Sequence, residues 1–374
     1  PSMAPPTLLS PAELSYLHAS LSLHPPVRPD GRGARQFRPL VAETEILPNA
    51  NGSARVCFSD GAEAIVGVKA EVEKERSRAV GAIREGLIDA AMGDEDDEAN
   101  DAAEGQGRGR GKSSWVEIAV DVPGYRDDDA LPVFLSQMLG EALVASGRLR
   151  DRLWINSRFH WKLYIDILLL SPPLSYPLPL LSLTMHLALL SARLPRLISE
   201  GDEDPLFDDD WEASTYLYPF RKDSKDRIDK PPITLLVVTV GDNILFDPSK
   251  EELAAAEGVL AVSAGEVASA SNEPGEDESN SRPLQLLAVR TVDPPSRLTQ
   301  LGVPNSLNSA TGGAAPVSSV EFLAAREGME AEGVWTPPRG GIKRATMGKI
   351  VKAVIEKGGV GEEVMAALEG FTGV

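Results

Sequence analysis

The apolar run from Leu163 to Leu194 most constrains what this chain can fold into. It could pass for a membrane span, but it carries Asp166, His186 and four prolines: Pro172, Pro173, Pro177 and Pro179. A proline removes a backbone donor and its ring clashes with the preceding helical turn, so the run cannot be one helix. It divides into a strand over 161–170 and a helix over 178–194, each too short to cross a bilayer. The strand ends in residues apolar on both faces, as a strand buried from two sides requires. The helix has little polar surface, so it belongs at the centre of the fold. No membrane association is expected.

Around this centre the chain alternates between periods of two and of 3.6 residues. Residues 10–22 read as a helix capped by Ser10, with Pro11 in its first position. Strand patterns follow over 54–58, 63–73 and 115–120, and helical spacing over 131–147. The first half thus runs β-β-β-α-β-α. In the second half, strands over 233–240 and 243–246 flank a Gly241-Asp242 turn. Lys250 to Glu257 is either a helical turn or the start of the next strand. Strands over 259–262 and 284–292 and helices over 318–330, 346–357 and 361–369 complete a mixed α/β (α+β) chain. The expected organisation is a helical extension over 1–27, a first domain over 28–200 with an insertion at 75–114, an acidic linker over 201–231, and a second domain over 232–374.

The formal charge is −19. Three windows, Asp94–Glu104, Glu200–Glu212 and Glu266–Glu278, together hold twenty acids and no Lys or Arg, so the rest of the chain is close to neutral. The acidity is expected in solvated loops rather than in the fold. An overall attraction for nucleic acid is excluded, but a local basic groove is not. Arg148, Arg150 and Arg152 form the one basic cluster on folded sequence. Arg108, Arg110 and Lys112 alternate with glycine in the insertion. These six are the candidate nucleic-acid contacts; for the first three the competing expectation is a surface ion-pair face. The single cysteine, Cys57, reads as a small buried hydrophobe, consistent with a reducing cytosol or nucleus. Four scattered histidines lack metal-ligand spacing. Gly107 to Lys112 imitates a nucleotide phosphate loop without the strand and helix that would flank one. No signal peptide is visible, and Pro1 in place of Met points to a trimmed or incomplete N-terminus.

The most specific words lie near the N-terminus. In Arg28-Pro29-Asp30-Gly31-Arg32 a proline presets φ, an Asp can bond its own backbone and a glycine permits positive φ, so two arginines flank a rigid corner. Arg38, Gly52-Ser53-Ala54-Arg55-Val56 and the run Glu63 to Val72 then give the order turn, strand, turn, strand. These words resemble the RNase PH family of phosphate-dependent RNA exonucleases, and within it the catalytically silent members that build the ring of the eukaryotic RNA exosome. Pro232-Ile233-Thr234 and Leu245-Phe246-Asp247-Pro248-Ser249 fit the silent members better than the active ones. The resemblance implies an RNase PH-like fold of two packed α/β halves and a place in a hetero-oligomeric ring. It implies as partners the other ring and cap subunits, RNA in the central channel and a separate hydrolytic nuclease. It implies support of 3′-to-5′ rRNA maturation and mRNA turnover in nucleus, nucleolus and cytoplasm.

Phosphorolysis needs a cradle for orthophosphate, cations to neutralise it, and acids that hold a metal or handle the leaving group. The resemblance places the cradle after the strand ending at Leu170, where active members carry a Gly-Gly-Thr-Arg-like loop. Here the loop reads Ser171-Pro172-Pro173-Leu174-Ser175-Tyr176-Pro177, with prolines where backbone donors would be needed. Its hydroxyls are expected to serve turns and caps. The two acidic positions fall on Leu253 and Val259, beside Glu251 and Glu252. Asp247, Glu251, Glu252 and Glu257 are expected to cap turns and line a solvated helix face. The positions where relatives carry RNA-facing arginines fall on Gln137, Glu141 and Val144. No enzyme activity, cofactor or metal is therefore expected. The alternatives are an active phosphate-dependent exoribonuclease completed by a partner chain, and an rRNA-binding biogenesis protein sharing only the fold.

Overall fold

The computed structural model describes residues 9–75, 111–199, 201–219, 229–266, 283–294, 296, 334–338 and 341–371. The helix expected at 318–330, and Arg108 and Arg110, lie outside the described residues.

A five-stranded sheet builds the first half from β1 (Leu40–Thr44), β2 (Gly52–Phe58), β3 (Glu63–Lys74), β4 (Val116–Asp121) and β5 (Phe159–Leu169), in the order β1-β2-β3-β5-β4. Neighbours are antiparallel except β4 and β5, which pair parallel. A parallel pair needs a crossover. Helix α2 (Ala130–Ala145) and the single turn α3 (Arg148–Arg152) supply it. The expected helix over 131–147 stops early because Gly147, at φ 72°, takes a left-handed turn. Strand β1 was not expected: its burial alternates between intermediate and exposed, as on a sheet edge, so it carries little apolar signal.

A two-stranded antiparallel ribbon, β6 (Arg193–Leu194) with β7 (Thr215–Tyr216), leads to the second half, a four-stranded antiparallel sheet, β11-β10-β8-β9, formed by β8 (Ile233–Val240), β9 (Asn243–Phe246), β10 (Gly258–Glu266) and β11 (Leu284–Val292). β8 and β10 are buried along their whole length. β10 runs through Glu266, into residues expected to begin a loop. Between β9 and β10 lies α5 (Lys250–Ala255), which resolves the helix-or-strand alternative as helix. Helices α6 (Arg344–Ile355) and α7 (Val360–Glu369) pack on this sheet.

Helix α4 (Leu178–Ser191) is buried at every residue. It packs on β2 and β3 of one sheet and on β8 of the other, which is why its sequence shows no polar face. Its few hydroxyls are all used inside. Ser182 Oγ accepts from the Thr234 amide at 2.7 Å, Thr184 donates to the Leu180 carbonyl at 2.7 Å, and Ser191 Oγ accepts from the Ser53 amide at 3.1 Å. Gly52 makes the contact with β2 possible: a Cβ there would lie 2.5 Å from the Ala192 Cα. The N-terminal helix α1 (Pro11–Leu21) carries the expected Ser10 cap, completed as a capping box by Glu13. It leans on α5 of the second half, where Asn243 Nδ2 donates to the Leu21 and Leu23 carbonyls at 2.7 Å.

The acidic segment after 200 is not a bare tether. Leu197 bridges Phe207, closing a small hairpin whose Phe207 ring packs 4.9 Å from Trp161. No helix among the described residues is long and apolar enough to cross a membrane.

Candidate functional site

The Arg28–Arg32 corner forms as its residue types require. Gly31 holds φ 75°, its amide donates to the Arg28 carbonyl at 3.1 Å, and Asp30 Oδ1 accepts from the Arg32 amide at 3.0 Å. The corner delivers its arginines inward, to the second half. Arg28 forks onto Glu252 with two bonds of 2.6 and 2.7 Å, both side chains fully buried. It also donates to the Phe246 and Asp247 carbonyls. Arg32 reaches Asp247 Oδ2 at 2.9 Å and Asp30 at 2.5 Å. Arg38 completes the cluster, gripping Asp247 at 2.6 Å, Asp60 at 2.5 Å and Ser175 Oγ at 3.2 Å, with its guanidinium 4.7 Å from the Phe58 ring centre.

Two expectations are corrected here. Asp247 and Glu252 do not line a solvated face: they are 1% and 0% exposed. Glu252 is also the capping residue that was expected, closing a box with Ser249 at the start of α5. Asp247 sits at φ 48°, a left-handed conformation that costs a non-glycine residue about 1–2 kcal/mol. The grip of Arg32 and Arg38 offsets that cost, and Asp tolerates it better than most residues. Burial alone would lower the Arg38 pKa, but its bonds to Asp247 and Asp60 raise it above the ordinary arginine value. Burial would raise Asp30, yet the amide and guanidinium of Arg32 hold it below the usual carboxylate range.

Arg38 also joins the two pieces that phosphorolysis would need, the loop after β5 and the acidic segment before α5. In that loop Ser171 Oγ accepts from the Glu63 amide and Ser175 Oγ from Arg38, so both hydroxyls are spent on structure. Burial pushes the Tyr176 phenol up, so it stays neutral. Pro177 is the N-cap of α4 and makes no side-chain cap. Leu253 and Val259, at the expected acidic positions, are buried apolar residues. Among the described residues no group of three or more His, Cys, Asp or Glu is placed to hold a metal ion.

Gln137, Glu141 and Val144 lie on one side of an open groove of about 590 Å³ between α2, β4 and Arg290 of β11. Glu141 is paired there with Arg290 at 2.8 Å. The basic cluster on α3 is engaged as well. Arg148 and Arg152 both bind Asp229, and Arg152 lies 4.7 Å from the Tyr218 ring centre while donating to the Leu217 carbonyl. Arg150 is partly exposed on the same turn. Lys112 pairs with Glu75 at 2.5 Å across the base of the insertion. His160 stacks on Trp115 beside that base, and burial pulls its pKa down against the pull of Glu75 and Glu73.

The geometry is a saturated ion-pair cluster between two α/β halves, and comparison with known proteins decides where it belongs. No protein-family model matches the chain. The exosome complex component RRP42 of Saccharomyces cerevisiae is 31% identical over 257 residues, covering 68% of this chain and 81% of that protein. The chain belongs to the Rrp42 family of exosome complex components. Exosome complex component rrp42 of Schizosaccharomyces pombe is 30% identical over 271 residues, covering 68% of this chain and 77% of that protein. A solved structure described as the Archaeoglobus fulgidus exosome with RNA bound to the active site aligns at 17% identity and a TM-score of 0.47, covering 83% of this chain and 91% of that one. That structural likeness is too low to add to the sequence relationship. Membership of the Rrp42 family agrees with the resemblance read from Arg28–Arg32 and the strand words after it. The roles of Arg38, Asp60 and Ser175 were not legible, because nothing in the sequence pairs residue 38 with residue 247.

Proposed function

We propose that this chain is a non-catalytic subunit of the exosome core ring, holding the ring closed and lining part of the RNA route to a separate hydrolytic nuclease. The observation that carries the reading is the saturated cluster. Asp247 and Glu252, the buried acids nearest the expected catalytic segment, have both carboxylate oxygens bound by arginine. A carboxylate buried and gripped in this way faces no open site for a metal, and the proline-rich loop offers no row of amides for phosphate. Two curated relatives named as exosome complex components support the assembly. The partners are then other ring and cap subunits and RNA, and the sites of action are the nucleus with its nucleolus and the cytoplasm.

RNA contact is assigned to Arg148, Arg150, Arg152, Arg108, Arg110 and Lys112. Asp229 orders two of these and cancels part of their charge, so a modest contribution is expected. The test is native mass spectrometry of the tagged chain purified from its own cells, with phosphate-dependent RNA decay measured on the same sample. A hetero-oligomer of different exosome subunits is expected. A homohexamer, a lone monomer, or release of nucleoside diphosphates that disappears in Glu251→Gln would overturn the proposal.

A further inference from the structure

The acidic hairpin after α4 has a second character that charge alone hides. Ile198 and Leu206 sit opposite each other on its two arms, joined by the Ile198 amide donating to the Leu206 carbonyl at 2.8 Å, and they are 52% and 62% exposed. Leu197, on the opposite face of its arm with Phe207, is 40% exposed, and Trp211, further along the same chain segment, is 49% exposed. Large apolar side chains concentrated in one short segment, rimmed by polar groups, mark an interaction surface rather than chance exposure.

The surface is also held in place. Asn156 Nδ2 donates to the Glu203 carbonyl at 3.0 Å, and the Ser157 amide donates to Asp202 at 3.0 Å. Phe207 anchors the other arm on Trp161. A segment with no partner of its own has no need of such fixing, since solvated acidic runs do without it.

Charge selects the occupant. Asp209, Asp210 and Glu212, the neighbours of Trp211 along the chain, are exposed. Arg158 reaches Asp204 at 3.0 Å and the Asp202 carbonyl at 3.3 Å, and Arg196 is exposed at the base of the hairpin, but the seven acids from Asp202 to Glu212 outnumber these two cations. A phosphate backbone or an anionic lipid surface would be repelled. A second copy of this chain would bring acid against acid. What fits is a polypeptide with apolar side chains to cover Ile198, Leu206 and Trp211 and Lys or Arg at its edges.

We infer that the hairpin built from residues 197–199 and 201–212 is a docking surface for a basic, apolar segment of a partner protein. The inference concerns a face separate from the arginine cluster and does not depend on the scaffold reading. To test it, benzoylphenylalanine replaces Leu206 in the full chain, expressed in its own cells and irradiated, and the crosslinked peptides are sequenced by mass spectrometry. A control probe replaces the exposed Tyr16 on α1. The expected result is one segment of a partner protein, net positive and rich in apolar residues, captured from position 206 and not from 16. Its yield should fall at least about tenfold when Asp209→Asn, Asp210→Asn and Glu212→Gln are combined, since opposed charge raises encounter rates by that order or more. Crosslinks to RNA, to another copy of this chain or to an acidic segment would overturn the inference, as would no crosslinked peptide or a yield unchanged by neutralisation. Exosome subunits that co-purify in the same sample report on the scaffold reading separately.

Discussion

The arginine cluster and the acidic hairpin use the same chemical group, the carboxylate, for opposite ends. In the cluster, Asp247 and Glu252 are out of water and bound by Arg28, Arg32 and Arg38, each guanidinium shared among several acceptors. In the hairpin, Asp209, Asp210 and Glu212 stand in water with apolar neighbours equally exposed. A buried pair penalises the loss of either member, because the survivor is left as an uncompensated charge. An exposed acid contributes little to the fold and keeps its field for whatever approaches. The first region is therefore built for holding two halves together, and the second for meeting something else.

Neutralising the cluster should give the largest effect. Glu252→Gln keeps the α5 capping box, since Gln caps as Glu does, but strips Arg28 of its counter-charge. A loss of about 3–5 kcal/mol in urea unfolding is expected, and Asp247→Asn should match it. A loss below about 1 kcal/mol would erase the distinction between the two regions. Asp229→Asn falls in between. Arg148 and Arg152 are 18% and 24% exposed and can turn to water, so about 1–3 kcal/mol is expected in the same assay.

A third measurement sharpens the comparison through pH. The hydrogen bond from His18, at 2.8 Å, holds the Glu257 carboxyl below its ordinary value of 4.5. A depressed acid stabilises the fold above its unfolded pKa, and that contribution is lost as pH falls through the lower folded value. Glu257→Gln should flatten the stability curve below pH 4.5. A curve identical to that of the parent would mean that this pair does not hold α1 to the turn between α5 and β10. The smallest effect belongs to the hairpin. Asp209→Asn with Asp210→Asn should shift thermal stability by no more than about 0.5 kcal/mol. A larger loss would make these acids part of the fold.

Much of the layered plan was legible because burial leaves a pattern in residue type. The four prolines after Leu170 separated β5 from α4, and the absence of polar residues on α4 placed it between layers. The Ser10 cap, the Gly241-Asp242 turn and the Arg28–Arg32 corner rest on local chemistry, and local chemistry is written in adjacent residues. β1 escaped because an edge strand needs few apolar residues. Glu252 was half legible: its capping role follows from Ser249 three residues before it, whereas its burial depends on Arg28, 224 positions away.

By itself the sequence determined the succession of strands and helices, the central helix, the corner at Arg28–Arg32 and the family words. It also determined that prolines occupy the loop after β5. Only the tertiary structure decided that the corner's arginines turn inward onto Asp247 and Glu252, that Arg38 ties Ser175 to Asp247, and that the acidic run after 200 folds into a fixed hairpin with exposed Ile198, Leu206 and Trp211. The reason is physical. Propensity and periodicity act over a few residues, but a charge's worth depends on how much water surrounds it and which opposite charge the fold brings within 3 Å.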